Sequence, residues 1–308
     1  MALDFPDPRR SLGTFVAPRA RMTWGPRFAQ LVARKTAEAT AASIAPLTTV
    51  RTSAAARAME GIGNEWTCRL YDGTFHLPAP PDRAPAVTLV FVQSRTGNTV
   101  TDRPDELGGG DADRHLIYEG LSRVAAGAVL AGARTATGAG TFFSVWHPEL
   151  VALRRSLGLP RHPVQVVVSK SGHVDVEGTM LFNVPDVPVV VLAGRECLRK
   201  SREWRSRRPW LRVLPVQASW ADTLAHFRSE SGISRVSVVG GRTIASALID
   251  ADAVQDLLLT TTSSESGEPD TPYYSGAHRP DVATITEKTG LGSAGPIRVE
   301  HLAVSREV

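Results

Sequence analysis

Residues 235–261 read RVSVVGGRTIASALIDADAVQDLLLTT. A Val-rich run stops at Gly240 and Gly241, a short helical pattern follows, and a second apolar run comes after it. A helix that opens after Gly241 starts with amides that have no intrahelical acceptor and with a partial positive charge. Two glycines at that point let an anion reach the backbone with no Cβ in between. Arg242 adds a cation and Thr243 a hydroxyl. On these residues alone a phosphate cradle and a tight strand-to-helix turn that binds nothing stand level. Neither a GxGxxG nor a GxxxxGK[ST] spacing follows a strand pattern in this chain, which argues against an ordinary Rossmann or P-loop site.

Two further segments carry the same chemistry. In GAVLAGARTATG (127–138), Gly132 and Thr135 stand just past an apolar run; in VVVSKSG (166–172), Ser169, Lys170 and Ser171 do. Loops beyond the C-terminal ends of strands line the ligand crevice of an open α/β sheet. A Ser–Lys–Ser sequence can hold a phosphate with hydroxyls and one point charge. Each loop alone reads as an ordinary turn; three of them together point to a phosphorylated dinucleotide.

The elements that must position these loops are legible as alternation. Short, continuous, Val-rich runs occur at 86–93, 127–132, 164–169, 187–193, 211–216, 235–239 and 256–261. Strands covered on both faces look like this, as in a parallel sheet between helical layers. Helical patterns lie between them at 111–125, from 147 with Pro148 at the first helical position, and from Ser219 with Asp222 three residues on as a capping-box variant. The order β-α-β-α-β-β-β-α-β-α-β gives the class α/β. Residues 264–308 read as a polar loop and a last strand, GPIRVEHLAV, paired antiparallel at the sheet edge. Residues 1–85 read as an extension packed on a core domain of 86–308, with one amphipathic helix in PRFAQLVARKTAEATAASIAPL that uses Phe28, Leu31, Val32 and Ile44.

The bulk numbers narrow the class. The chain has 308 residues, 42% of them hydrophobic and 21% charged, with a formal net charge of +4. A core of that size needs no disulfide or metal to hold it. The mild positive balance suits an anionic small molecule and is too little to argue for nucleic acid. Cys68 and Cys197 are far apart, and two free thiols in a reducing cytoplasm are expected. The eight histidines show no HExxH or paired spacing, so no metal site is expected. No apolar stretch approaches the ~20 residues that cross a bilayer.

In sequence order, YDGTFHLP, VTLVFVQSRTGN, AVLAGARTATG, VVVSKSG, VPVVVLA and VSVVGGRTIASALIDADAVQDLLLTT resemble the reductase domain of the riboflavin-biosynthesis deaminase–reductases, above all its stand-alone pyrimidine-reductase relatives. The resemblance covers roughly residues 65–308. It implies a dihydrofolate-reductase-like mixed, mostly parallel sheet flanked by helices, with NADPH as cofactor, a small-molecule substrate and a homodimer. It places Gly240 and Gly241, followed by Arg242 and Thr243, on the cofactor phosphates, Gly132 and Thr135 on NADPH, and Ser169 and Lys170 near the adenosine 2′-phosphate.

The sequence also departs from that family. Where the family commonly reads S-L-D-G-K after its first strand, this chain has Ser94, Arg95, Thr96, Gly97 and Asn98. Ser94 and Gly97 match as substrate-binding positions, while the acid and the lysine have become Thr96 and Asn98. The acid before the glycine pair is Val239, and the aspartate before the AVLAG strand is Gly127. A pocket that loses a charge pair changes what it binds, so a pyrimidine- or pterin-like substrate other than the standard riboflavin intermediate is expected. Thr96, Asn98 and Asp102 are the candidate catalytic side chains, and ordinary loop roles compete for each. Arg123 is a candidate contact for a substrate phosphate, against a salt-bridged or surface role. The run RECLRKSREWRSRRPWLRV (195–213) holds seven arginines, Lys200, Trp204 and Trp210. It reads as a solvated helix and loop, with a part in 2′-phosphate binding or contact with nucleic acid as lesser alternatives. Against the reductase stands a non-catalytic NADP(H)-binding sensor or scaffold.

Overall fold

The structure is a computed structural model and describes residues 19–54, 58–102, 104–137, 141–276 and 280–305. In chain order its elements are α1 (Arg19–Thr40), β1 (Thr48–Thr52), β2 (Met59–Ile62), α2 (Glu65–Thr67), β3 (Phe75–Pro78), β4 (Ala86–Gln93), α3 (Gly110–Ala112), β5 (Ala128–Gly132), α4 (Ala133–Ala136), α5 (Pro148–Ser156), β6 (Val164–Ser169) and β7 (Val189–Ala193). They continue as α6 (Arg195–Arg207), β8 (Leu211–Pro215), α7 (Trp220–Ser231), β9 (Arg235–Val239), α8 (Arg242–Asp250), β10 (Asp256–Thr262), β11 (Asp281–Gly292) and β12 (Gly295–Ser305).

Ten strands form one sheet in the order β1-β11-β12-β10-β4-β9-β5-β6-β7-β8. The seven from β10 to β8 run parallel. β12, β11 and β1 extend the sheet antiparallel beyond β10. The Val-rich runs are strands because both faces are covered. On one face Leu89, Leu130, Val166, Val190 and Val238 pack under α7 and α8 through Leu224, Phe227, Ala245 and Leu248. On the other, Val90, Val129, Val167 and Val191 pack under Leu116, Ile117, Leu121, Leu150 and Leu153. The helix starts follow the expected chemistry: the Ser219 Oγ accepts the Asp222 amide at 3.0 Å, and Pro148 opens α5.

Four expectations are corrected. Helix α1 covers 19–40 and stops there; Ile44 lies in the coil beyond it and packs against the core, in which the neighbouring Leu47 is buried. The stretch expected as an ordinary helix over 111–125 is α3 followed by a π helix, Asp113–Leu121, whose wider turns continue in the Ser122 amide donating to the Ile117 carbonyl five residues back. The element order put strand directly after strand between β7 and β8; the arginine-rich run, read on its own as a helix and loop, supplies the thirteen-residue helix α6 there. The tail holds β11 where a polar loop was expected, so β12 is flanked by β10 and β11 rather than standing at an edge. Among the described residues no helix is long and apolar enough to cross a membrane.

The chain before residue 86 contributes to the same body. β1 pairs with β11, while Leu47, Tyr71 and Phe75 are buried in the main core. Leu31 and Ala39 of α1 pack with Phe142 and Trp146 in a smaller cluster.

Candidate functional site

Because β4, β9, β5 and β6 are adjacent and parallel, the loops that follow them leave the same rim of the sheet. Leu130 of β5 pairs with Val238 of β9, which brings Gly132 level with Gly240. Gly240 and Gly241 have φ of +68° and +83°, a backbone that residues with a Cβ adopt at a cost. A Cβ on Gly240 would stand 3.3 Å from Thr135 Cγ2, and one on Gly241 3.8 Å from Thr135 Oγ1. A Cβ on Gly132 would meet Ile244 of α8 at 3.5 Å. Gly132, Thr135, Gly240 and Gly241 are thus brought together, with the first turn of α8 beside them. The Ile244 and Ala245 amides both donate to the Gly241 carbonyl, at 2.9 and 3.0 Å. The amides of Arg242 and Thr243 come before any intrahelical acceptor. Bare backbone, a helix start without an acidic residue in its first turn and a threonine side chain fit a phosphate group.

The loop after β4 stands above this rim. Val90 pairs with Val239, so Ser94 lies about three residues, roughly 10 Å, further along the strand direction than Gly240. The loop is a closed turn. The Ser94 hydroxyl is 2.9 Å from the Thr96 hydroxyl, and the Asn98 amide nitrogen Nδ2 donates to Thr96 Oγ1 at 2.9 Å. Gly97 takes φ +84°, and its N–H donates to the Ser94 carbonyl at 2.9 Å. The segment after β10 then ties this loop to α8. The Thr271 N–H donates to Asn98 Oδ1 at 3.3 Å, and the Arg242 guanidinium donates to the carbonyl of the preceding residue, Asp270, at 3.3 Å. Ser275 and Tyr274 continue the strap along α8 through Ser246 and Asp250. The Ser94–Asn98 loop is therefore linked to Arg242 through Asp270 and Thr271. Nothing in the sequence marked Asp270 and Thr271, which sit in a Ser/Glu/Pro-rich stretch.

The remaining candidates are more distant. Ser169 follows β6, two strand spacings or about 10 Å from the glycine pair. Its hydroxyl accepts the Gly172 N–H at 3.0 Å and so closes its own turn, while the Lys170 side chain is exposed. Thr243 is exposed on the first turn of α8, and Asp102 is exposed beyond the β4 loop. Arg123 is not on the rim. It precedes β5, at the opposite end of the parallel strands, and is buried at 1% exposure. Its guanidinium stacks 4.0 Å over the Tyr118 ring and donates to the Ser144 carbonyl at 2.9 Å. Arg123 lies in the turn after the π helix rather than on the expected helix, and the expected role in substrate binding conflicts with this placement.

One group near the rim gave no sequence signal. Asp113 opens the π helix on the face of the sheet that carries Thr260 of β10. Its Oδ1 is sealed from solvent without a hydrogen-bond partner among the described residues. Burial pushes this carboxyl up to about 6, against the opposite pull of the Thr260 hydroxyl and the Arg114 guanidinium.

Comparison with known proteins agrees with this architecture. The family model described as the RibD C-terminal domain matches residues 85–285. A solved pyrimidine reductase-like protein of Corynebacterium diphtheriae is 20% identical over 72% of this chain and 93% of its own, with a TM-score of 0.55. RibD of Acinetobacter baumannii is 16% identical with a TM-score of 0.56, and this chain, over 73% of its length, spans 59% of that protein. The riboflavin biosynthesis reductase Rib7 of Saccharomyces cerevisiae is 17% identical over 72% of this chain and 92% of its own, at a TM-score of 0.51. No curated protein matches the sequence. At these identities the structural likeness speaks for the fold, which is dihydrofolate-reductase-like. The match of the family model extends over more than half of the chain, from just before β4 to within β11, and on that ground the chain belongs to the RibD C-terminal domain family.

Proposed function

We propose that this protein is an NADPH-dependent reductase that delivers a hydride to a C=N or C=O of a small heterocycle, pyrimidine- or pterin-like. The observation that carries the reading is the convergence of Gly132, Thr135, Gly240 and Gly241 beside the start of α8, in a member of this family. In this reading the bare amides at 240–243 and the Arg242 cation hold the cofactor phosphates, Thr135 contacts the cofactor, and Ser169 and Lys170 lie toward its 2′-phosphate. Bound there, NADPH supplies the hydride, and the protein aligns donor and acceptor. The Ser94–Asn98 loop borders the substrate. Thr96 and Asn98 orient it through neutral hydrogen bonds, and no acid or lysine in that loop makes an ionic contact. This difference from the family pattern motivates a substrate other than the standard riboflavin intermediate. Asp102 is retained as a loop candidate, and the protein is read as a cytoplasmic homodimer.

Titration with NADPH should quench tryptophan fluorescence at micromolar concentrations and more strongly than NADH does. Absence of binding at millimolar cofactor removes the reading. A second reading, a non-catalytic NADP(H) sensor or scaffold, is favoured by the way Ser94, Thr96 and Asn98 use their polar groups on one another. It predicts binding without oxidation of NADPH against aminouracil, pterin and imine substrates; steady turnover of any one of them excludes it.

A further inference from the structure

The arginine-rich run leaves a second feature that the reductase reading does not use. The C-terminal half of α6 and the outer side of β8 form a groove of about 550 Å³ lined by Arg202, Arg205, Arg208, Arg212 and Val213. That volume suits a small molecule. We propose that this groove binds a small polyanion carrying two or more phosphoryl groups, at a site separate from the cofactor cradle.

The charges in the groove do not cancel. Arg202 and Arg205, three residues apart and so neighbours on one helix face, are exposed and have no carboxylate partner among the described residues. Arg208 is buried at 3% exposure and fixed in place. Its Nε and Nη2 donate to Asn183 Oδ1 at 3.1 and 3.0 Å, and Nη2 pairs with Glu177 at 2.8 Å. Its Nη1 is sealed without a partner among the described residues. Arg212 pairs with Glu230 at 3.2 Å. Arg207 pairs with Glu203 and Glu177, so Glu177, Glu203 and Glu230 face the five guanidinium groups of Arg202, Arg205, Arg207, Arg208 and Arg212 and do not balance them. Guanidinium forks match phosphate oxygens in pairs, which a row of lysines would not.

The backbone adds a donor. The Val189 N–H donates to the Trp210 carbonyl, and the Val216 N–H to the Ala193 carbonyl. In a parallel ladder alternate residues face the partner, so Val213 turns its N–H and C=O away from β7, into the groove side. Pro215 follows with no N–H to offer, and the Leu211 N–H is taken by Arg208 at 3.0 Å. One outward N–H is too little edge for an extended peptide to join as a strand. Nor is there a stacking platform for single-stranded nucleic acid. The Trp210 indole donates to the Phe182 carbonyl at 3.0 Å, and both Trp204 and Trp210 pack on the core. A compact, multiply charged anion satisfies what remains.

The groove is remote from the rim. α6 begins at the C-terminal end of β7, and Arg202 lies seven residues, about 10 Å of helix, further back along it. β8 stands four strand spacings, roughly 19 Å, from β9.

Sodium tripolyphosphate, titrated calorimetrically into the full chain at low salt, is the probe. Saturable binding is expected, weakened at least tenfold by R202A/R205A and less by R202K/R205K, with the NADPH fluorescence titration unchanged in both variants. Failure of the wild-type chain to bind at millimolar probe overturns the proposal, as does equal affinity in R202A/R205A. Displacement of the probe by NADPH overturns it as well, since the anion would then occupy the cradle. A single-stranded oligonucleotide that binds far more tightly, and loses that binding in R202A/R205A, overturns it in favour of a nucleic-acid surface.

Discussion

Gly240 is the residue on which the proposed cofactor site most depends. Its φ of +68° would cost an alanine about 1 kcal/mol, and the new methyl would press on Thr135 at 3.3 Å. Gly240→Ala is expected to lower NADPH affinity at least tenfold and the thermal midpoint by a few degrees. Gly158→Ala is the control. Its φ of +72° imposes the same backbone strain, but nothing lies within 4 Å and it is far from the rim, so cofactor titration should be unaffected while stability falls similarly. Asp113 makes a pH-dependent contribution of definite sign. Below about pH 3 its carboxyl is largely protonated in both the folded and the unfolded chain, and its burial is tolerated. As pH rises toward and through about 6, the unfolded carboxyl has already ionised and the folded one must do so in a sealed position. The stability held at low pH is therefore lost across that window, by up to about 3 kcal/mol. Asp113→Asn should raise the thermal midpoint at pH 7.5 and leave it nearly unchanged at pH 3.

At the scale of elements, Arg154 links α5 to the turn that feeds β5. Its Nη1 donates to the carbonyls of Arg123, Val124 and Ala126 at 3.1, 3.1 and 2.7 Å, and its side chain is wholly buried. Replacing it with methionine leaves four carbonyls without their donor, since its Nε also serves Pro160. Roughly 3–5 kcal/mol of stability should be lost, read from urea unfolding, with lysine recovering part of it. The parallel strands were legible in the sequence because burial on both faces forces runs such as VQVVVS and VPVVVLA to be continuously apolar. β11 was not legible for the complementary reason. Pairing antiparallel with one face toward solvent, DVATITEKTGLG alternates between exposed and half-buried positions and reads as polar. The π helix was invisible because its register differs from an α helix by one residue per turn and leaves the apolar pattern of 111–125 nearly intact. The glycine pair and Thr135 stood out by type only in combination, since each loop alone reads as an ordinary turn. Their meeting was not legible, because it depends on β9 entering between β4 and β5. Arg123 was misplaced because the apolar pattern of 111–125 did not show that the helix ends at Leu121 and that the turn after it faces the other end of the sheet.

For the molecule as a whole, we propose that residues 1–85 are an extension without a fold of their own. β1 adds to β11, and Phe75, Tyr71 and Leu47 fill the main core. A chain beginning at residue 86 should expose that apolar surface and aggregate or unfold without cooperativity; a soluble 86–308 fragment with a sharp thermal transition would refute this. The placement of β9 reaches further. β4 and β5 are made early, yet they do not touch each other in the sheet: the strand between them begins at Arg235. During synthesis β5 can pair with β6, but its other border and both borders of β4 stay open until β9 and β10 are made, about 100 residues or more after β5. The rim that sets Gly132 beside Gly240 comes into being only when that late segment slots home, so in the proposed reading a shorter nascent chain lacks the cofactor site.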